Sequence, residues 1–145
     1  MNLKFMKKAI QEAQLSQKDI PVGAVIVKND KVIAFAHNEK EKNNDVTAHA
    51  EILAIRDAEK SLNNWRLNGC DLYVTLEPCT MCMSAILQSR ISNLYFGSYD
   101  TVYGALSVFP QILEIYKSSV KINGGIMEDE CTEILADYFK RLREQ

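Results

Sequence analysis

Two short stretches, far apart in the chain, limit what it can fold into more than any others: His49-Ala50-Glu51 and Pro78-Cys79-Thr80-Met81-Cys82. Two thiols and one imidazole supply three of the four donors of a tetrahedral zinc site, and a catalytic site leaves the fourth position to water. If Pro78 opens a helix, where proline is favoured, Cys79 and Cys82 point the same way from its beginning. The positive end of that helix then lowers the cost of two thiolates. The apolar run just before it, Leu72 to Leu76, reads as a strand. The sulfurs would thus sit where a strand hands over to a helix, a place where open α/β sheets bind ligands.

His49 must come from elsewhere in the chain to complete the set. It opens a helical run from Ala48 to Lys60, so it too lies at a helix start. Glu51 follows two residues on and can face a bound water without binding the metal. Zinc lowers the pKa of such a water to about 7. Glu51 would take its proton and deliver it to a leaving group. Each stretch alone permits plainer readings. Cys-x-x-Cys can be a redox pair, or half of a structural zinc knuckle completed by Cys70 or Cys131. A lone histidine on a helix is usually packed or solvated. Together the two stretches point to a metal-dependent hydrolase.

The 145 residues suffice for one domain with a real core, and a single domain over 1–145 is expected. Hydrophobic content of 47% and charged content of 25% are ordinary for a soluble globular protein. No apolar run approaches the roughly 18 residues of a membrane span. The start, Met1 to Lys8, reads as a first helix rather than a signal peptide. Four cysteines without a secretion signal argue for thiols or metal over disulfides. A net charge of −2 gives no support to a strongly basic nucleic-acid binder, although local patches are compatible with it.

In chain order, Leu3, Met6, Ile10 and Ala13 predict a helix over 3–15. Strands follow at 24–28 and 31–36, joined by an Asn29-Asp30 turn. Their nearly continuous apolar residues predict helices on both faces. His37 to Thr47 reads as a polar loop. His37 lies in the wrong element for a ligand, whereas Asn38 closes a strand just before the metal helix and can both donate to and accept from a substrate. A helix over 48–61 would bury Ile52, Leu53, Ile55 and Ala58. Trp65 reads as a core anchor and Cys70 as a small buried residue. A strand over 71–75, an apolar helix over 79–89 and a strand over 92–97 come next. Tyr99 and Tyr103 suit either base stacking or the core. Pro110 interrupts a helical pattern over 105–118. A short strand over 119–122 and a helix over 129–143 finish the chain, with Cys131 on the apolar face of that helix. Lys140, Arg141 and Arg143 complement the helix dipole at its end and can also touch phosphate.

The joint pattern His-x-Glu…Pro-Cys-x-x-Cys is the signature of zinc nucleobase deaminases. With its flanking strings, the chain resembles the bacterial tRNA-specific adenosine deaminases of the cytidine/deoxycytidylate deaminase superfamily. The strings are Pro21-Val22-Gly23-Ala24-Val25, Ala36-His37-Asn38, Asp45 to Ile52, Asn64-Trp65-Arg66-Leu67, Leu72 to Cys79, Ser89-Arg90-Ile91, Phe96-Gly97 with Asp100, and Asp129-Glu130-Cys131. The resemblance implies a three-layer α/β/α, cytidine-deaminase-like fold, with a five-stranded mixed sheet between helices and its last two strands parallel. It implies a cytoplasmic homodimer that turns the wobble adenosine of a tRNA anticodon loop into inosine, releasing ammonia. It implies one Zn²⁺ per subunit on His49, Cys79 and Cys82, with Glu51 as proton shuttle. Asn38, the Ala50 backbone N–H and Asp100 would contact the substrate. The chain departs from the family's usual residues at Met83-Ser84, Thr101-Val102, Leu106-Ser107 and Ser118-Ser119. A free-nucleobase deaminase of the same fold, acting on guanine or cytosine, is the alternative.

Overall fold

The computed structural model describes residues 1–145. In chain order the elements are α1 (Leu3–Ala13), β1 (Gly23–Lys28), β2 (Lys31–His37), α2 (Lys40–Asn43), α3 (Ala50–Leu62), β3 (Cys70–Leu76), α4 (Thr80–Gln88), β4 (Asn93–Ser98), α5 (Ala105–Val108), α6 (Ile112–Tyr116), β5 (Lys121–Asn123) and α7 (Glu128–Arg143). The strands form one mixed sheet in the order β2-β1-β3-β4-β5. β1 pairs antiparallel with both β2 and β3, whereas β3, β4 and β5 run parallel. The β1–β2 turn places Asn29 and Asp30 at φ 51° and 60°, the left-handed pair that a tight hairpin requires.

Alternation along the central strands divides the core into two layers. Ala24, Ile26, Leu72, Val74, Leu94 and Phe96 face α3 and α4, where they meet Ala54, Ile55, Met83 and Ile86. Val25, Val27, Tyr73 and Tyr95 face the other way, onto Phe5, Met6 and Ala9 of α1 and Cys131 of α7. Helices therefore lie on both faces, as the three-layer α/β/α reading requires. The parallel β3–α4–β4 crossover brings the C-terminal ends of β3 and β4 side by side, and the two stretches that carry the thiols and the imidazole gather there.

Several expectations change in detail. β2 is an edge strand with one open face, and Phe35 is half exposed beneath the Lys8 ammonium, 4.2 Å from its ring centre. Its apolar residues thus did not signal two covered faces. The polar loop after it contains a one-turn helix, α2. The buried stripe of α3 is Ala50, Glu51, Ala54, Ile55 and Ala58, with Ile52 and Leu53 only partly covered. Small residues line it because the helix lies close on the sheet. Trp65 is 49% exposed with Arg66 stacked on it, so it is not a core anchor; Leu67 fills that place. Pro110 splits the 105–118 pattern into two short helices, since it offers no N–H to a continuous one. Tyr99 and Tyr103 are exposed rather than core.

Gly23 shows how tightly α1 is laid on the sheet. A Cβ there would collide with the backbone carbonyl of Ala9 and the backbone nitrogen of Ala13, while its N–H donates to Thr75 Oγ1 at 3.1 Å. Backbone cannot swing aside as a side-chain tip can. Gly23→Ala is expected to lower unfolding free energy by about 2–4 kcal/mol, read from urea denaturation midpoints.

Candidate active site

His49 is the N-cap of α3 and Cys79 the N-cap of α4. Both have extended backbone, and each carbonyl accepts the first helical bond, from Leu53 N–H at 3.0 Å and from Met83 N–H at 2.8 Å. Pro78 therefore stands one residue ahead of the cap rather than inside the first turn. Cys82 is the third residue of α4, so both sulfurs project from the same helix start.

The three donors converge. His49 Nδ1 lies 3.7 Å from Cys79 Sγ and 3.4 Å from Cys82 Sγ, and all three ligand atoms fall within 4.8 Å of one another. Zinc bonds to sulfur and nitrogen in a tetrahedron space their donors about 3.5–3.8 Å apart. The donor set thus fits zinc in both chemistry and spacing. Cys70 and Cys131 are buried elsewhere, at the far end of β3 and on α7 under Gly97. Neither reaches the trio, so the four-cysteine knuckle does not form.

The proton arrangement suits a cation. The Cys82 thiol, and after it His49, hydrogen-bonds the Cys79 sulfur and holds its pKa down at about 4, against the opposing effect of burial. The same contact with Cys79, together with burial, pushes the Cys82 thiol up. His49 is raised, chiefly by its hydrogen bond to Cys79. Glu51 is 4% exposed and stands outside the trio of donors. Burial pushes its carboxyl up to about 7, and the neighbouring Cys79 adds to the rise.

A cavity of about 610 Å³ opens over these groups, lined among others by Asn38, His49, Glu51, Cys79, Asp100 and Tyr103. Asn38 is fixed at both ends: Nδ2 donates to Ile20 O at 2.9 Å, and Oδ1 accepts the Ala50 N–H at 2.8 Å. That amide, expected to be open to a base, is thus engaged by Asn38, and a base would have to replace Asn38 as its acceptor. Asp100 Oδ1 accepts the N–H groups of Val102 and Tyr103, both at 3.0 Å, and so shapes its own loop. His37 is drawn away from the site, with Nδ1 3.1 Å from Glu12 and Nε2 3.4 Å from Glu39.

Two residues escaped the sequence reading. Tyr138, assigned to the apolar face of the last helix, lines the cavity, and its hydroxyl donates to Lys18 O at 3.1 Å. Glu77 is 2% exposed and also borders the cavity. A carboxylate between the last apolar residue of a strand and a proline was its only signal.

Comparison with known proteins places this geometry. Residues 1–98 match the cytidine and deoxycytidylate deaminase zinc-binding region. A tRNA-specific adenosine deaminase of Bacillus subtilis (strain 168) is 40% identical over 145 residues, covering 97% of this chain and 90% of that protein. A structure from work on A-to-I editing by tRNA:A34 deaminases at the wobble position superposes with a TM-score of 0.89 at 42% identity, covering 92% of this chain and all of the other. A guanine deaminase structure from Bacillus subtilis is 41% identical but covers only 70% of this chain and 67% of its own, with a TM-score of 0.66. The chain belongs to the zinc-binding cytidine and deoxycytidylate deaminase family and, by identity along nearly its whole length, to the tRNA-specific adenosine deaminases within it.

Proposed function

We propose that this protein deaminates adenosine to inosine at the wobble position of a tRNA anticodon, with residues 1–145 acting as one zinc-dependent domain. The observation that carries the chemistry is the placement of Glu51, buried and outside the His49–Cys79–Cys82 trio, whose donors lie at zinc spacing. Near-full-length identity to tRNA-specific adenosine deaminases supports the substrate.

His49, Cys79 and Cys82 would hold the metal. When bound, zinc supplies a Lewis acid that makes water a nucleophile at neutral pH. Glu51 carries one proton of the attacking water to the purine N1 and then the proton of the new C6 hydroxyl to the departing amino group, so that adenosine and water become inosine and ammonia. Burial favours the protonated form of that carboxyl, which suits it to hold a proton and then release it. Asn38, oriented by Ile20 and Ala50, keeps one Nδ2 hydrogen and one Oδ1 lone pair for the base, and Asp100 on the cavity lining contacts the nucleotide. A loop nucleotide is splayed into the cavity at little cost, because it is already single-stranded.

No helix is long and apolar enough to cross a membrane. We place the protein in the cytoplasm, where its RNA substrate is found. A homodimer is supported by the partly apolar face of α3, α4 and α6, where Ile52, Trp65, Ala85, Ile115 and Tyr116 border one shallow cavity.

The reading is tested with a short anticodon hairpin carrying adenosine at the wobble position, beside free guanine and cytosine. Inosine in the hairpin is expected. Ammonia released only from a free base would replace this substrate with the alternative. Glu51→Gln should retain zinc by metal analysis while losing about a hundred- to ten-thousand-fold in kcat.

Glu51 also ties stability to pH. Its carboxyl titrates near 4.5 when unfolded and about 7 when folded. Below pH 4.5 both states hold the proton. Between those values the unfolded chain releases it first, so stability falls as pH rises; above 7 the loss is complete. In metal-free protein the loss is expected to approach about 3 kcal/mol. Glu51→Gln should abolish it. Urea denaturation at pH 4.5 and pH 8 should show the variant gaining on the parent only at the higher pH.

A further inference from the structure

Glu77 links the arm that carries Cys79 to the Asp100–Ser107 segment, which also lines the cavity. It has no cationic partner: the ion pairs of the protein involve only His37, Lys42, Glu12 and Glu39. Its buried carboxylate accepts three hydrogen bonds instead, all from the segment after β4. Asp100 N–H and the Ser107 hydroxyl donate to Oε1 at 3.1 and 2.9 Å, and Ser107 N–H donates to Oε2 at 2.9 Å. Backbone bonds flank these contacts. Glu77 N–H reaches Ser98 O at 2.8 Å, Ala105 N–H reaches Pro78 O at 2.8 Å, and Cys79 forms a β-bridge with Gly104. A Cβ on Gly104 would collide with the Glu77 carboxylate, so the space it occupies exists only because a glycine faces it.

A carboxylate is an expensive group to bury for packing alone; it is stable inside only when donors replace its water. Every donor found here belongs to one segment, and that segment carries Asp100 and Tyr103 to the cavity. We infer that Glu77 is a positioning residue: it clamps the Asp100–Ser107 segment to the Cys79 arm and so sets Asp100 and Tyr103 at the distance from the metal site that a bound nucleotide needs. The inference rests on the proposed role of Asp100 as a nucleotide contact. It adds a part that contacts neither metal nor base and acts through a residue that does.

Glu77→Gln tests it. The side chain keeps its shape, but its NH₂ must face a backbone N–H of the segment. In the zinc-loaded variant, amide hydrogen exchange at Asp100 and Ser107 is expected to quicken about tenfold or more. KM for the anticodon hairpin should rise about tenfold while kcat stays within about threefold and zinc content is unchanged. Ser107→Ala removes one donor from the other side, and should shift exchange and KM the same way by less. It supplies the answer if the buried variant fails to fold. Unchanged exchange at both amides would overturn the clamp, as would lost zinc or a fall in kcat with KM unmoved, since Glu77 would then serve the Cys79 arm alone. A parent protein inactive on the hairpin would sink the functional reading by itself, and the exchange measurement would still decide the clamp.

Discussion

The site depends on two helix starts meeting at one point. Three donors from separate stretches must come within bonding range of a single cation, and no one element can supply them all. The parallel β3–α4–β4 crossover sets Cys79 and Cys82 at the carboxyl end of the sheet, and the α3 N-terminus delivers His49 to the same place. Helix starts leave N–H groups without partners and carry partial positive charge. That field favours thiolates where burial opposes them. At Cys79 the hydrogen bonds received from Cys82 and His49 outweigh burial and hold the thiol down at about 4.

Around this meeting point, polar groups are fixed by one another before any substrate arrives. Asn38 is held by Ile20 and Ala50, and Asp100 by the amides of its own turn. Glu51 is the exception. It is buried without a cation of its own, and the fold tolerates this by favouring its protonated form. Strain of this kind is commonly found where a protein trades stability for chemistry.

Much of this was legible in the residues. The two motifs identified the metal set, and the apolar runs Ala24 to Lys28 and Leu72 to Leu76 identified two of the strands. The family resemblance supplied the layered fold class and the parallel strands at the end of the sheet. What was not legible depended on neighbours distant in sequence. Phe35 reads as a core residue until β2 is seen to lie at the sheet edge. Trp65 is apolar enough for the interior, but Leu67 reaches it first. Ala50 N–H looks free in a sequence because the acceptor that engages it, Asn38, lies on another element. Glu77 looks like an unremarkable acid beside a proline, since the segment that makes it useful begins more than twenty residues later. In each case local pattern gave the residue's chemistry, and tertiary placement decided its use.

The margins of the sheet carry a consequence for how copies of this chain can meet. At one side β5 has only three residues, too few to template a further strand. At the other, β2 is shielded by a lysine laid across its exposed phenylalanine, and the register with β1 slips between Ile26 and Val27. Neither border invites a neighbour to extend the ladder. A chain bordered in this way offers little free strand edge for open-ended stacking.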